Sequence, residues 1–108
     1  MTVSELTQNG LTALTLPDGD RSIEGVYMGD LLSWVMGNAS ADNAWITIMS
    51  NLNVVAVAVL TDVSCVILAE GVELPADVKA QAEAKGVNIL TSELPSYETA
   101  VKLYELLR

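Results

Sequence analysis

The chain has 108 residues, 14 acids against five bases, no histidine and 51% apolar residues. That length suits one domain, 1–108, with a filled core, and excludes a disordered or low-complexity chain. The net charge of −9 and the scattering of Arg21, Lys79, Lys85, Lys102 and Arg108 exclude a basic stripe, and with it nucleic-acid binding and anionic membranes as expected partners.

Thr2 and Glu5 form a capping box, so a short helix is expected from Val3, ended by Gly10 at a left-handed position. Leu11–Leu16 reads as a strand and Pro17-Asp18-Gly19-Asp20 as a turn. Ile23–Met28 reads as a second strand. Asp30 is placed to cap a helix over Leu31–Met36, with Gly37 closing it. Asn38–Asn43 is a polar loop, and Trp45–Met49 is a buried, β-branched strand.

Val54–Leu60 is the longest unbroken apolar run, far short of a membrane span. Valine favours a strand there, and periodicity cannot decide a run that is apolar all round. Two further apolar runs, Ser64–Ala69 and Val87–Thr91, are each followed by clear helices. Alternation of strand and helix therefore places a buried helix over Asn53–Thr61, with Asn53 as its N-cap. Pro75 is expected at the first position of the next helix and Gly86 at its end. The last helix starts at Ser96, with Tyr97, Ala100, Val101, Tyr104 and Leu107 as its apolar stripe and Glu98–Lys102 as an i,i+4 pair. The order strand, helix, strand, helix, strand, helix reads as a parallel α/β arrangement with right-handed crossovers.

Without histidine, the commonest general base and the Ser-His-Asp and Cys-His arrangements are missing. Cys65 stands alone among Val63, Val66 and Ile67 and is read as a core residue, since buried apolar thiols are inert. No G-x-x-x-x-G-K-[ST] and no G-x-G-x-x-G string occurs, so phosphate and dinucleotide chemistry has no local support. Enzymatic activity and a cofactor are not expected. Acids gather at the strand ends, at Asp30, Glu70, Glu73 and Glu93, and read first as solvated surface and helix caps. Met28, Trp34, Val35 and Met36 form a large apolar group beside one short helix; Met28, Trp34 and Met36 are the expected homodimer patch. The N-terminus carries no basic n-region or apolar h-region, so a cytoplasmic location is expected.

From Gly25 onward the chain resembles the DRTGG domain family in its small stand-alone form. The resemblance is carried by Gly25-Val26-Tyr27-Met28-Gly29-Asp30-Leu31-Leu32-Ser33, Val35-Met36-Gly37-Asn38-Ala39 and Trp45-Ile46-Thr47-Ile48. It continues through Asn53-Val54-Val55-Ala56-Val57-Ala58, Val66-Ile67-Leu68-Ala69-Glu70-Gly71, Glu73, Pro75, Gly86-Val87-Asn88-Ile89-Leu90 and Tyr97-Glu98-Thr99-Ala100, with Asp20-Arg21 matching the family's opening segment. The resemblance implies a three-layer α/β/α fold with a mostly parallel sheet of about five strands, similar to the N-terminal domains of HPr kinase and the Mur ligases. It implies a non-catalytic regulatory or oligomerisation role, acting through a protein partner still to be identified, in the setting of an iron-only hydrogenase or related redox system. A label of HPr kinase would carry over fold and not activity, because the phosphate loop lies in another domain. Ser50-Asn51-Leu52-Asn53 stands where fused members carry a charged Gly-Asp-Arg string, and a double glycine is reduced to Glu70-Gly71. The expected ligand residues are Asp30, Ser50, Asn51, Asn53, Glu70, Gly71, Ser92 and Glu93, at the edge where the strands end. A neutral or metal-bridged ligand, or the backbone of a partner, is expected there, and the competing expectation is a purely structural dimerising scaffold.

Overall fold

A computed structural model describes all of residues 1–108. The strands are β1 (Thr12–Thr15), β2 (Val26–Met28), β3 (Ala44–Thr47), β4 (Cys65–Leu68) and β5 (Ile89–Thr91). The helices are α1 (Val3–Thr7), α2 (Leu32–Asn38), α3 (Leu52–Thr61), α4 (Ala76–Lys85) and α5 (Ser96–Leu107). The sheet order is β1-β5-β4-β3-β2; β2 to β5 run parallel, and β1 pairs antiparallel with β5.

Strand periodicity divides the core. Trp45, Val66, Leu68 and Ile89 face one side with Val35, Val54, Val55, Val57, Ala58, Val78 and Ala82 of α2, α3 and α4. Ala44, Ile46, Cys65, Ile67 and Leu90 face the other side with Val3 and Leu6 of α1 and Leu103 of α5. Strands buried on both faces read as continuous apolar runs, which is why β3 and β4 are buried at every position. The α/β/α architecture implied by the family resemblance is present, and the apolar run after β3 is a helix, as the alternation of elements predicts.

Several local expectations are corrected. The capping box at Thr2 is present, but α3 is capped by Asn51 and not Asn53: the Asn51 side-chain oxygen accepts from the Asn53 N–H at 3.0 Å. Two asparagines at i and i+2 are equivalent in sequence, and the backbone geometry chooses the first. Asp30 caps no helix. Leu31 holds the N-cap position of α2 without a side-chain bond, while the Asp30 carboxylate accepts from the Thr47 hydroxyl at 2.8 Å and the Ile48 N–H at 3.0 Å. That carboxylate ties the end of β2 to the end of β3, which stops at Thr47 and not Met49. Gly37 lies inside α2, which runs on to Asn38. Pro75 is an N-cap and not the first helical residue. Gly86 ends α4 at φ 74°, as its freedom from a Cβ allows. The second strand is shorter than expected because Gly25, at φ 100°, breaks the extended run before it.

The apolar stripe assigned to α5 is rotated. Thr99 and Leu103 are the helix residues fully buried, whereas Tyr97 and Tyr104 are exposed. Thr99 is polar and escaped the hydrophobic pattern; its hydroxyl is satisfied by the Ser92 hydroxyl at 2.8 Å.

The segment before β2 is fastened by polar bonds at the edge where the parallel strands begin. Arg21 donates to the Asp42 carboxylate at 3.0 and 3.2 Å and to the Asp62 carboxylate at 2.8 Å. It also donates to the Asp62 carbonyl. Asp42 and Asp62 hold left-handed backbones, φ 66° and 59°, which aspartate tolerates better than most residues. Partial burial alone would lower the Arg21 pKa, but the hydrogen bonds it donates to both carboxylates, with their charges, outweigh it and the guanidinium is held above its ordinary value. Asn88 bonds Asp18 N–H and C=O and the Ser64 carbonyl, at 2.8 to 2.9 Å.

Replacing Arg21 with Met keeps the aliphatic stem and removes these bonds. The variant is expected to lose about 1–3 kcal/mol in urea unfolding, while a Lys85→Met control stays within about 0.5 kcal/mol.

Candidate functional site

Parallel connectivity brings the ends of β2, β3, β4 and β5 to one edge, and the eight expected ligand residues lie along it. They do not form one cluster. Asp30 sits at the β2 end and its carboxylate is occupied by Thr47 and Ile48. Ser50 is half-buried in the loop before α3. Glu70 and Gly71 follow β4 as two consecutive left-handed residues, φ 65° and 64°. Their N–H groups donate to the Leu94 and Ser92 carbonyls at 2.9 and 2.8 Å, so this turn is locked to the loop after β5. The left-handed φ of Gly71 is what favours glycine here, since a Cβ would meet only the movable carboxylate end of the Glu93 side chain. The buried Ser92 hydroxyl accepts from the Leu94 N–H at 3.2 Å and pairs with Thr99.

Two concavities open on the edge. One, of about 380 Å³, lies between the starts of α3 and α4 and is lined by Asn51, Asn53, Pro75 and Asp77. The other, of about 370 Å³, brings Gly71, Glu73 and Glu93 together with Lys79. The structure thus unites Asn51 with Asn53, and Gly71 with Glu93, and keeps the two pairs apart.

No three acidic or cysteine side chains converge anywhere in the chain, because Asp30, Glu70, Glu73 and Glu93 are spread along the three loops after β2, β4 and β5. A cation site needs several oxygen ligands around one point.

A larger groove escaped the sequence analysis. It measures about 570 Å³ and runs between α3 and α4, lined by Leu52, Asn53, Val55, Ala56, Val59, Leu60, Gln81 and Lys85. Its apolar wall exists because α3 carries no charged residue from Leu52 to Thr61, and one helix face cannot bury all of its apolar side chains. Leu60 is 70% exposed. The signal was the uniform apolarity of Val54–Leu60, more than one buried face requires. Asn53 is the expected site residue that lines both this groove and the concavity at the edge.

The expected homodimer residues are all accessible: Met28 is 50% exposed, Trp34 64% and Met36 47%, while Val35 between them is fully buried. No helix is long and apolar enough to cross a membrane.

The family model described as "DRTGG domain" matches residues 26–106, well over half of the chain. No curated protein sequence matches. Among solved structures, the chain is similar to the CBS and DRTGG domains of the regulatory region of Clostridium perfringens pyrophosphatase, complexed with an activator, diadenosine tetraphosphate. The TM-score is 0.69 at 13% identity, over 90% of this chain and 43% of that one. The chain therefore spans less than half the length of that regulatory region, and the likeness is one of fold.

Cys65 lies at the centre of the sheet, away from both concavities, and is wholly buried. Burial pushes its thiol up from 9.0 to about 12, against a small opposing pull from the Arg21 charge. The native thiol keeps its proton where the unfolded chain has lost it. The associated stability is full below the unfolded value and is lost as pH rises from there towards the folded value. Relative to Cys65→Ala, the wild type is expected to lose about 1.4 kcal/mol per pH unit above about pH 9 in urea titrations. A thiol reagent is expected to label native protein only as fast as it unfolds.

Proposed function

Because the chain belongs to the DRTGG domain family, we propose that it is a regulatory domain that senses a small ligand and acts through partner proteins, without catalysing a reaction. The family match over residues 26–106 carries this reading. The similarly folded region in the pyrophosphatase is a regulatory region crystallised with a nucleotide activator, which supports it. The absence of histidine and of any phosphate-binding string supports the non-catalytic part.

The ligand-binding surface is the strand-end edge where it meets the α3–α4 groove. Apolar walls with a few polar groups are the usual character of a small-molecule site. Leu52, Val55, Ala56 and Val59 offer the walls, and Asn53 and Gln81 offer amides that both donate and accept. A ligand with a planar, neutral ring and amide-like edges suits that lining. The acids of the edge and the net charge of −9 disfavour a free phosphate; Lys79 and Lys85 are the cations that line the edge concavity and the groove.

A second reading is a dimerising scaffold with no small ligand. The exposure of Met28, Trp34 and Met36 favours it. In either reading the protein works as a homodimer in the cytoplasm, with a hydrogenase-type or related redox system as its partner on the family resemblance.

A thermal-shift series with adenosine, ATP and diadenosine tetraphosphate separates the two. A ligand at a hundred times its Kd adds about 2.7 kcal/mol and several degrees to Tm. Asn53→Ala and Ala56→Trp are expected to remove the shift without altering the basal Tm by more than a few degrees. No shift from any compound at millimolar concentration would leave the scaffold reading. Phosphate release from ATP is expected to stay at the level of buffer alone.

A further inference from the structure

The two edges of the sheet are treated differently. At the β1 edge, the register slips between Ala13 and Thr15 where β1 meets β5, and Pro17 follows the strand closely. Bulges and prolines are devices by which monomeric proteins blunt an edge. The β2 edge has none. Val26-Tyr27-Met28 holds no lysine, no proline and no irregularity, and Val26 and Met28 are exposed.

The hydrogen bonds of β2 define what this edge offers. Ala44 donates to the Gly25 carbonyl at 2.9 Å, and Gly29 donates to the Ile46 carbonyl at 3.1 Å. In a parallel ladder alternate residues bond to one neighbour, so Gly25, Tyr27 and Gly29 are turned to β3. The N–H and C=O groups of Val26 and Met28 are therefore turned outward. Glu24 offers nothing further, since its N–H donates to Asp42 at 2.8 Å and its carbonyl accepts from Asn43 at 3.0 Å.

We infer that β2 pairs antiparallel with β2 of a second copy of this chain, Val26 opposite Met28 of the other copy, on a twofold axis at Tyr27. The inference rests on the homodimer reading above and replaces its helix-centred patch with the strand edge. Only a twofold partner presents the same two outward residues in reverse order, and this register uses all four free groups on each side. The resulting sheet has ten strands. The side chains agree with it. Tyr27 packs towards the α2–α3–α4 face. Val26 and Met28 line the opposite face, in an open cavity of about 620 Å³ walled by Ala100, Tyr104 and Leu107 of α5. A second copy brings its own Met28 and Tyr104 against this cavity. Tyr104, 64% exposed in one copy, becomes covered. Apolar contact of this kind beside a short ladder is what a strand-edge interface needs, because four or so hydrogen bonds alone are weak. The bracketing acids Glu24 and Asp30 and the charge of −9 oppose association, so the dimer tightens as salt rises.

The test is sedimentation and light scattering over a hundredfold dilution, with amide hydrogen exchange on the same samples. The wild type is expected to be dimeric, with Val26 and Met28 amides protected in the dimer and exposed on dilution, while Tyr27 stays protected throughout. Met28→Pro removes an outward donor and leaves the β3 ladder intact, a position where an edge strand accepts proline. It is expected to weaken the dimer at least about tenfold. Native Trp45 fluorescence would show that it still folds. Should it not fold, the exchange pattern of the wild type decides alone. Trp34→Ala with Met36→Ala is expected to leave the dimer unchanged. A dimer with fast-exchanging Val26 and Met28 amides, or one broken by the helix variant and not by Met28→Pro, overturns the strand pairing and spares the homodimer. A monomer at every concentration overturns both.

Discussion

Parallel strands cannot be joined by a tight turn. Each neighbouring pair needs a crossover long enough to return the chain to the starting edge, and here the crossovers are α2, α3 and α4. All three lie on one face of the sheet, where their apolar residues meet Trp45, Val66, Leu68 and Ile89. α1 and α5 cover the other face. From this follow the two features that matter for function. The loops after the strands meet at one edge, and β2, the first strand of the parallel set, remains at the outside of the sheet with no neighbour beyond it.

The middle crossover carries the most consequence. α3 has to be apolar where it meets the sheet, but no charge appears on its outer side either. The helix therefore presents Leu52, Ala56, Val59 and Leu60 to the surface beside α4. An apolar groove next to a strand-end edge is a place where a ring and a few amides can bind. Around it, the charge of −9 favours neutral chemistry over free anions.

The opposite edge is organised by polar bonds. Arg21 holds Asp42 and Asp62, which belong to the loops entering β3 and β4, and Asn88 ties the start of β5 to Asp18. The Ser64 hydroxyl donates to the Ser22 carbonyl in the same region. These contacts join residues tens of positions apart, so each closes a long loop of chain for one or two hydrogen bonds. They make sense only on a sheet already assembled by burial. The two ends of the strands thus have different characters: a fastened entry edge, and an exit edge whose loops are tied to one another but leave concavities open.

Much of this was legible in the order of residues. Alternating apolar runs, with Asn-Gly, Pro and Lys-Gly punctuation between them, determine the succession of strands and helices and hence the α/β class, because period and turn chemistry are local properties. The placing of the ligand candidates on one edge is equally a sequence result, since it needs only connectivity. What the tertiary structure decided is which side chains are spent. Asp30 and Ser92 look like free polar groups in a string of letters, yet both are taken by bonds to neighbours; Asn51 caps α3 and leaves Asn53 free at the groove. The rotation of α5, which buries Thr99 and Leu103 and exposes Tyr97 and Tyr104, was also decided there. A helix carrying apolar residues on more than one face can settle on either, and the choice is made by the shape of the sheet it meets and by the Ser92 hydroxyl waiting for a partner. Local pattern determines which elements form; which atoms remain available depends on packing between residues that lie far apart in the chain.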